Sequence, residues 1–259
     1  MAIINATPDS FSDGGKFADA QTAADAAMRM LETGADLIDV GGESTRPGAE
    51  PVGADEEMER VLPVIESIRR RSDAPISIDT MKPEVARAAF AAGAVIWNDV
   101  FALRTPGALE TAAALEAPVV LMHMQGEPRD MQAAPAYGDV EAEVVAFLRE
   151  RAAAAAASGL DDIWLDPGIG FGKTLKHNVA LIRGLGRIKA AVGRPIVFGA
   201  SRKSMIAKID PTAAGSAADR IGGSLALAIA AARAGADMLR VHDVRETAQA
   251  LRVALSLER

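Results

Sequence analysis

The sequence predicts an α/β fold, a single-domain (β/α)8 barrel of the TIM type, and three observations carry that expectation. Eight short apolar runs of strand length alternate with eight longer, Ala-rich stretches of helical period, the pattern of repeated βα units and a parallel sheet. The helix-to-strand corners repeat a glycine, in Gly34-Ala35-Asp36-Leu37, Gly93-Ala94-Val95, Gly159-Leu160-Asp161 and Gly235-Ala236-Asp237-Met238. Glycine there closes a helix in the left-handed conformation and a strand follows directly. Finally, 259 residues are the length of eight such units. A doubly wound open sheet, the competing architecture, more often shows about five to seven strands and an early dinucleotide loop.

In chain order the strands are expected over 2–5, 37–40, 76–79, 95–98, 119–123, 163–166, 196–200 and 238–241. The helices between and after them are expected over 20–32, 56–70, 83–92, 106–115, 141–157, 178–191, 217–234 and 245–257. Two connections, 7–18 after the first strand and 43–53 after the second, are rich in Gly, Pro, Ser and Asp and longer than a corner requires. Such loops are candidate mobile lids. No Pro/Ser-rich linker or composition shift divides the chain, so one domain spans 1–259.

Composition narrows the function. With 49% apolar and 24% charged residues the chain is globular rather than disordered. A net charge of −7 argues against a nucleic-acid partner, whose binding runs on a basic face, so any anion site is local. The absence of cysteine removes disulfides, thiol nucleophiles and thiolate metal sites. No basic leader or apolar stretch of membrane-spanning length occurs, and the expectation is a cytoplasmic protein without a membrane partner.

Each apolar run ends in a hydrogen-bonding residue: Asn5, Asp39, Asp79, Asn98, His123, Asp166, Ser201 with Arg202-Lys203-Ser204, and Arg240 with His242. In a barrel of this kind the strand C-termini carry the reacting groups. Asp79, Asn98 and Asp166 suit a ligand edge presenting adjacent N–H donors and a carbonyl, as an aminopyrimidinone does. Asn5, Arg46, Lys203, Arg240 and His242 supply donors and positive charge for a phosphate. The run Gly168-Ile169-Gly170-Phe171-Gly172-Lys173-Thr174 resembles a P-loop, but Pro167 stands where that pattern needs its first glycine. It is read instead as a flexible turn with exposed amides that brings Phe171 to the mouth. Met122 and Met124 read as core filler, and Asp161, Asp162 and the run Glu56 to Glu59 as solvated faces.

Taken together, these segments resemble the dihydropteroate synthase family. Asn5-Ala6-Thr7-Pro8-Asp9-Ser10-Phe11-Ser12-Asp13-Gly14-Gly15 and Asp39-Val40-Gly41-Gly42-Glu43-Ser44-Thr45-Arg46-Pro47-Gly48 are similar to its two signature segments. Further matches run through Ser77-Ile78-Asp79-Thr80, Asn98-Asp99-Val100, Asp166-Pro167-Gly168, Ser201-Arg202-Lys203-Ser204 and Arg240-Val241-His242. Ala6 departs from a larger apolar residue common in the family. Family members usually carry a leader hairpin closing the barrel bottom, whereas four residues precede Asn5 here.

The resemblance implies a Mg²⁺-dependent condensation of 6-hydroxymethyl-7,8-dihydropterin pyrophosphate with 4-aminobenzoate, a homodimer, and membership of a family that is the target of the sulfonamides, which imitate 4-aminobenzoate. It also implies roles. Asp79, Asn98, Asp166 and Lys203 read the pterin; Met122 packs on its ring, and Arg240 lies over it near the diphosphate. Asn5 and His242 serve the diphosphate and metal end, with Asn5 the metal ligand. Asp13, Thr45 and Arg46 close over the reaction. Phe11, Pro47, Phe171, Lys203 and Ser204 form the aminobenzoate pocket, the helix beginning at Ser204 facing the carboxylate. Asp13, Arg46, Asp79, Lys203 and Arg240 are the catalytic set. A pterin-dependent methyltransferase and a catalytically silent pterin-binding paralogue share parts of this pattern. The former has no use for a diphosphate site.

Overall fold

The computed structural model describes residues 1–6, 15–45 and 48–257. Strands β1 (Ala2–Asn5), β2 (Ile38–Gly41), β3 (Ile76–Asp79), β4 (Ile96–Asp99), β5 (Val119–Met122) and β6 (Ile163–Asp166) pair in parallel in sequence order. β7 (Val197–Phe198) pairs in parallel with β8 (Met238–Leu239). Parallel bridges from Leu165 to Ile196 and from Ala2 to Val241 join the two sheets at both edges. The eight strands thereby close on themselves, which removes the exposed edges an open sheet would keep. The expected barrel is the observed one.

Strand periodicity then decides what each strand delivers. Side chains alternate between the two faces of a strand, so one set meets the helices and the other the barrel axis. Ile38 and Val40, Ile76 and Ile78, Val119 and Leu121, and Ile163 and Leu165 join the large core under the helices. On the alternate register Met1, Leu37, Val120 and Val197 pack with Ile96, Trp164 and Met238 as an apolar plug. Two residues further along the same strands or their immediate extensions stand Asp39, Asn98, Met122, Asp166, Gly199 and Arg240. Each candidate site residue in that series is therefore one pleat above an apolar side chain that fixes its strand.

The helices are α1 (Gly15–Thr33), α2 (Ala54–Arg69), α3 (Pro83–Ala91), α4 (Ala108–Ala114), α5 (Val140–Ala157), α6 (Leu175–Arg183), α7 (Leu185–Val192), α8 (Ser204–Ile209), α9 (Ile221–Arg233) and α10 (Val244–Ser256). The expectation of one helix over 178–191 is corrected: Gly184 ends α6 and begins α7. Glycine is a weak helix former, and a Cβ at this position would meet the Glu141 carboxylate at 2.3 Å. That carboxylate is held there by Arg187, whose Nε and Nη2 donate to it over 2.9 and 2.7 Å. The loop expected over 7–18 ends earlier, because α1 begins at Gly15.

The reading of Glu56 to Glu59 as a solvated face is also corrected. Glu57 is fully buried in α2, and Lys82, just ahead of α3, donates to it over 2.5 Å and to Glu43 as well. Burial pushes Glu57 upward from the usual carboxylate range, and the Lys82 ammonium opposes that shift. Glu43 opens the loop after β2, and its other oxygen accepts from the Val52 N–H over 3.4 Å. One lysine thus ties both ends of that loop to α2 and to the β3 corner. Lys82→Met is expected to destabilise the fold by about 3 kcal/mol, because it strands a buried carboxylate. Urea denaturation should register it, with Glu57→Gln in the same background recovering part of the loss.

Candidate active site at the C-terminal mouth of the barrel

Arg240 organises one half of the mouth. Its Nε donates to Asp39 Oδ2 over 2.6 Å and its Nη2 to Asp79 Oδ2 over 2.5 Å. Asn98 Nδ2 donates to the same Asp39 oxygen over 3.2 Å. Asp79 and Asn98 are cross-strand partners in the β3–β4 register, so both emerge at one level. Burial pushes the Asp79 carboxyl upward; Arg240 pulls it down and the Asp39 carboxylate adds to the rise. The guanidinium itself is held firmly charged: its two aspartates outweigh the cost of burying it. Gly41 and Gly199 keep this region open. A Cβ at Gly41 would touch Asp79 at 3.4 Å, and one at Gly199 would lie between Asp166 and Arg240, 3.6 and 3.7 Å away.

Asp166 faces them from β6. Its Oδ1 accepts the Gly168 N–H over 2.7 Å, and burial pushes its pKa up to about 6 against that hydrogen bond, Lys203 and Arg240. Met122 is its register partner on β5 and packs with Val100, Met124, Met131 and Phe171. Lys203 Nζ lies 3.9 Å from the centroid of the Phe171 ring, a cation–π contact that holds ammonium and ring together beside Asp166. Asp79, Asn98, Asp166, Lys203, Met122, Phe171 and Arg240 are thus gathered at one end of the barrel.

The turn after β6 is not the flexible, exposed one expected. Ile169, Phe171 and Lys173 are buried. Lys173 Nζ donates to the carbonyl oxygens of Gly168 and Phe171, each over 2.9 Å, and lies 2.8 Å from His123 Nδ1. Gly168 has φ +69°, and a Cβ there would come within 1.9 Å of the His123 carbonyl oxygen. No other residue fits that position. Burial, with the Lys173 charge beside it, lowers the His123 pKa to about 3, so the ring is neutral and Nδ1 accepts.

His242 enters the site as a neutral imidazole. Burial and the nearby Arg202 and Arg240 lower its pKa to about 3. Ser201 Oγ accepts the His242 backbone N–H over 3.2 Å and stands 3.1 Å from Nδ1. That hydroxyl can donate to Nδ1 or accept from it through its second lone pair, so the neutral ring offers a single N–H, on either nitrogen. Asn5 ends β1 at half-buried exposure, and Ser204 opens α8 exposed. Thr45 is half-buried just beyond β2. Phe11, Asp13, Arg46 and Pro47 lie outside the described residues.

Sequence reasoning gave no role to two residues of this mouth, Asp39 and Lys173. Asp39 had a signal, since it lies two positions beyond the plug residue Leu37 and so faces inward. Asp99 is a third buried aspartate, after Asp39 and Asp166, but it points away from the axis and caps the Phe101 and Leu103 N–H groups, each over 2.7 Å. Those bonds hold the turn where Ala102 and Leu103 adopt φ +57° and +54°.

Comparison with known proteins identifies the family. A family model described as pterin binding enzyme matches residues 1–242. Dihydropteroate synthase of Escherichia coli strain K12 is 49% identical over 258 residues, which cover 98% of this chain and 89% of that protein. The solved structure of Xanthomonas albilineans dihydropteroate synthase with 4-aminobenzoic acid superposes with a TM-score of 0.93 at 49% identity, covering 100% of this chain and 92% of the other. The same organism's enzyme in complex with 7,8-dihydropteroate gives 0.89 at 46% identity, with the same coverage. These relatives favour the synthase over the methyltransferase alternative. With nearly half of its residues shared along almost its whole length, the chain belongs to the pterin binding enzyme family, among the dihydropteroate synthases.

Proposed function

We propose that this mouth carries out the synthase condensation with a pterin-reading half and an anion-holding half. The reaction breaks the bond from the pterin methylene to the diphosphate oxygen and forms a bond from that methylene to the amine of 4-aminobenzoate. Pyrophosphate and the amine proton leave. The observation that carries the reading is the juxtaposition of Asp79, Asn98 and Asp166 with Arg240 at one end of the barrel.

Asp166 accepts from the pterin amine and ring N–H; Asp79 and Asn98 complete the ring's polar edge. Lys203 donates to a pterin oxygen or nitrogen while its stem covers Phe171, and Met122 packs on the ring. As the diphosphate departs, positive charge grows on the methylene and negative charge on the leaving oxygens, and preoriented charges stabilise both. Asp79 and Asp166 face the first; Arg240 and the neutral His242 imidazole face the second. No protein nucleophile is required. The amine of 4-aminobenzoate then adds, its carboxylate near Ser204 at the start of α8, and water must be excluded from the same carbon.

A magnesium ion suits the anion-holding half. No group of three His, Asp or Glu side chains arranged to hold a metal ion occurs among the described residues. That ion is commonly held by one or two protein oxygens together with substrate phosphates and water, and the Asn5 amide oxygen is such a donor. When bound, it would neutralise charge on the leaving diphosphate.

A second copy of the chain is the proposed partner. The support is α9, whose only charged residue is Arg233 and which exposes Gly222, Ala226 and Ala230 beside half-buried Leu225, Leu227 and Ile229. Val253 and Leu255 of the adjacent α10 are exposed as well. Sedimentation at twice the 26.9 kDa chain mass is expected, and a monomer would refute it. No helix of the described residues is long and apolar enough to cross a membrane; we place the reaction in the cytoplasm.

The test is catalytic. Protein mixed with Mg²⁺, pterin pyrophosphate and 4-aminobenzoate is expected to release pyrophosphate and form dihydropteroate; pterin binding without release would leave the silent-paralogue reading. Arg240→Ala is expected to weaken the diphosphate ligand about 100-fold and bare hydroxymethylpterin less than about tenfold, the cost of lost charge-assisted hydrogen bonds falling on the anion. Equal losses for the two ligands would remove Arg240 from the anion-holding half.

A further inference from the structure

We propose that Asp39 is a positioning residue that fixes the two halves of the mouth at once, orienting Arg240 for the diphosphate and Asn98 for the pterin. The inference rests on the functional reading above and goes beyond it, because Asp39 lies below the level at which a ligand is read. It is fully buried, its strand partner is Ser77 rather than Asp79, and only Gly41, without a side chain, stands above it on β2.

The geometry carries the argument. Asp39 Oδ2 accepts from both Arg240 Nε and Asn98 Nδ2, over 2.6 and 3.2 Å. A carboxylate oxygen only accepts, so the Asn98 atom facing it is the NH2 group. That choice turns the amide carbonyl of Asn98 the other way, as the acceptor a pterin N–H needs. On the Arg240 side, the Nε bond to Asp39 fixes the plane of the guanidinium and leaves its outer nitrogens for Asp79 and an anion. The arrangement is not one that packing alone would select. Asp39 Oδ1 and Ser77 Oγ are both buried without a hydrogen-bond partner, and Asp39 and Asp79 share a single guanidinium. A buried carboxylate left half satisfied costs folding free energy. Its use lies in the orientation it imposes on two side chains that do touch ligand.

Calorimetric titration of bare 6-hydroxymethylpterin into the wild-type protein, Asp39→Asn, Asn98→Ala and the double variant tests this. An asparagine at 39 keeps the volume but can offer its own NH2, which lets the Asn98 amide turn over. Asp39→Asn is expected to weaken pterin about tenfold in the wild-type background and less than about twofold in the Asn98→Ala background, since the effect travels through Asn98. The same loss in both backgrounds, or none in the first, would overturn the positioning role while leaving the functional reading intact. A wild-type protein that binds no pterin would overturn both. Should Asp39→Asn not fold, the wild-type protein still decides the matter by NMR. The Asn98 side-chain NH2 is expected to exchange slowly with solvent, and a freely exchanging NH2 would refute the bond to Asp39.

Discussion

Asp166→Ala is expected to weaken pterin binding by at least about 100-fold, about 3 kcal/mol, because two ligand N–H groups lose a charged acceptor inside a water-poor site. The milder Asp166→Asn separates charge from shape. Burial has pushed the Asp166 pKa from 3.8 to about 6, with the Gly168 N–H, Lys203 and Arg240 opposing the rise. Pterin affinity of the wild-type protein should therefore fall as pH drops through about 6, where this acceptor protonates. In Asp166→Asn that contribution to the acid limb should vanish. Stability should move the other way. A carboxyl whose pKa is raised by folding favours the folded state below its unfolded pKa of about 3.8, and that contribution is lost as pH rises through about 6. At pH 8 the ionised Asp166 thus costs on the order of 3 kcal/mol, and Asp166→Asn, which can still accept from Gly168, should unfold at a higher temperature than the wild type. Titration and thermal unfolding on the same samples check both signs. An asparagine variant that is less stable at pH 8 would show that the carboxylate is a structural group rather than a site group carried at a cost.

How much of this was legible in the sequence follows from what each feature depends on. The barrel was readable because strand period and glycine corners are local, and strands such as 2–5, 76–79 and 163–166 have the expected bounds. The short β7 and β8 fell inside longer expected runs, since an apolar run does not show where pairing stops. The α6–α7 break was not legible: the Glu141 carboxylate that leaves no room for a side chain at Gly184 comes from another helix. That Asp79, Asn98 and Asp166 share one mouth was legible because alternate residues at strand ends face the barrel axis. The charge states at that mouth were not. The drop of the His242 pKa to about 3, caused by burial beside Arg202 and Arg240, does not show in the residue type. Glu57 reads as surface until Lys82 is found against it across the α2–α3 corner.

Lys173 marks where motif reasoning ends and packing begins, and Lys173→Met is expected to lose stability and ligand binding together. In a P-loop the corresponding lysine would reach for a phosphate. Here the ammonium is turned inward and fully enclosed, and burial lowers its pKa to about 7. Around Nζ stand the Gly168 and Phe171 carbonyls, His123 Nδ1, and the His123 carbonyl at 3.3 Å. All are acceptors, so this one side chain serves as the donor for a turn whose own backbone has no ladder to join. A methionine fills the volume and leaves those acceptors dry and unpaired. At about 1 to 3 kcal/mol for each such group the total is on the order of 4 kcal/mol, a large share of a domain's stability. The unfolding temperature should fall by about 10 °C. The turn also carries the Gly168 N–H that orients Asp166 and the Phe171 ring under Lys203. At temperatures where Lys173→Met remains folded, pterin and 4-aminobenzoate should therefore both bind more weakly, the two losses tracking each other because one turn supports both pockets. Differential scanning calorimetry and paired titrations read the two effects. Full affinity for both ligands in a folded Lys173→Met protein would show that the turn keeps its shape without the buried ammonium, and the link from Lys173 to the site would be lost.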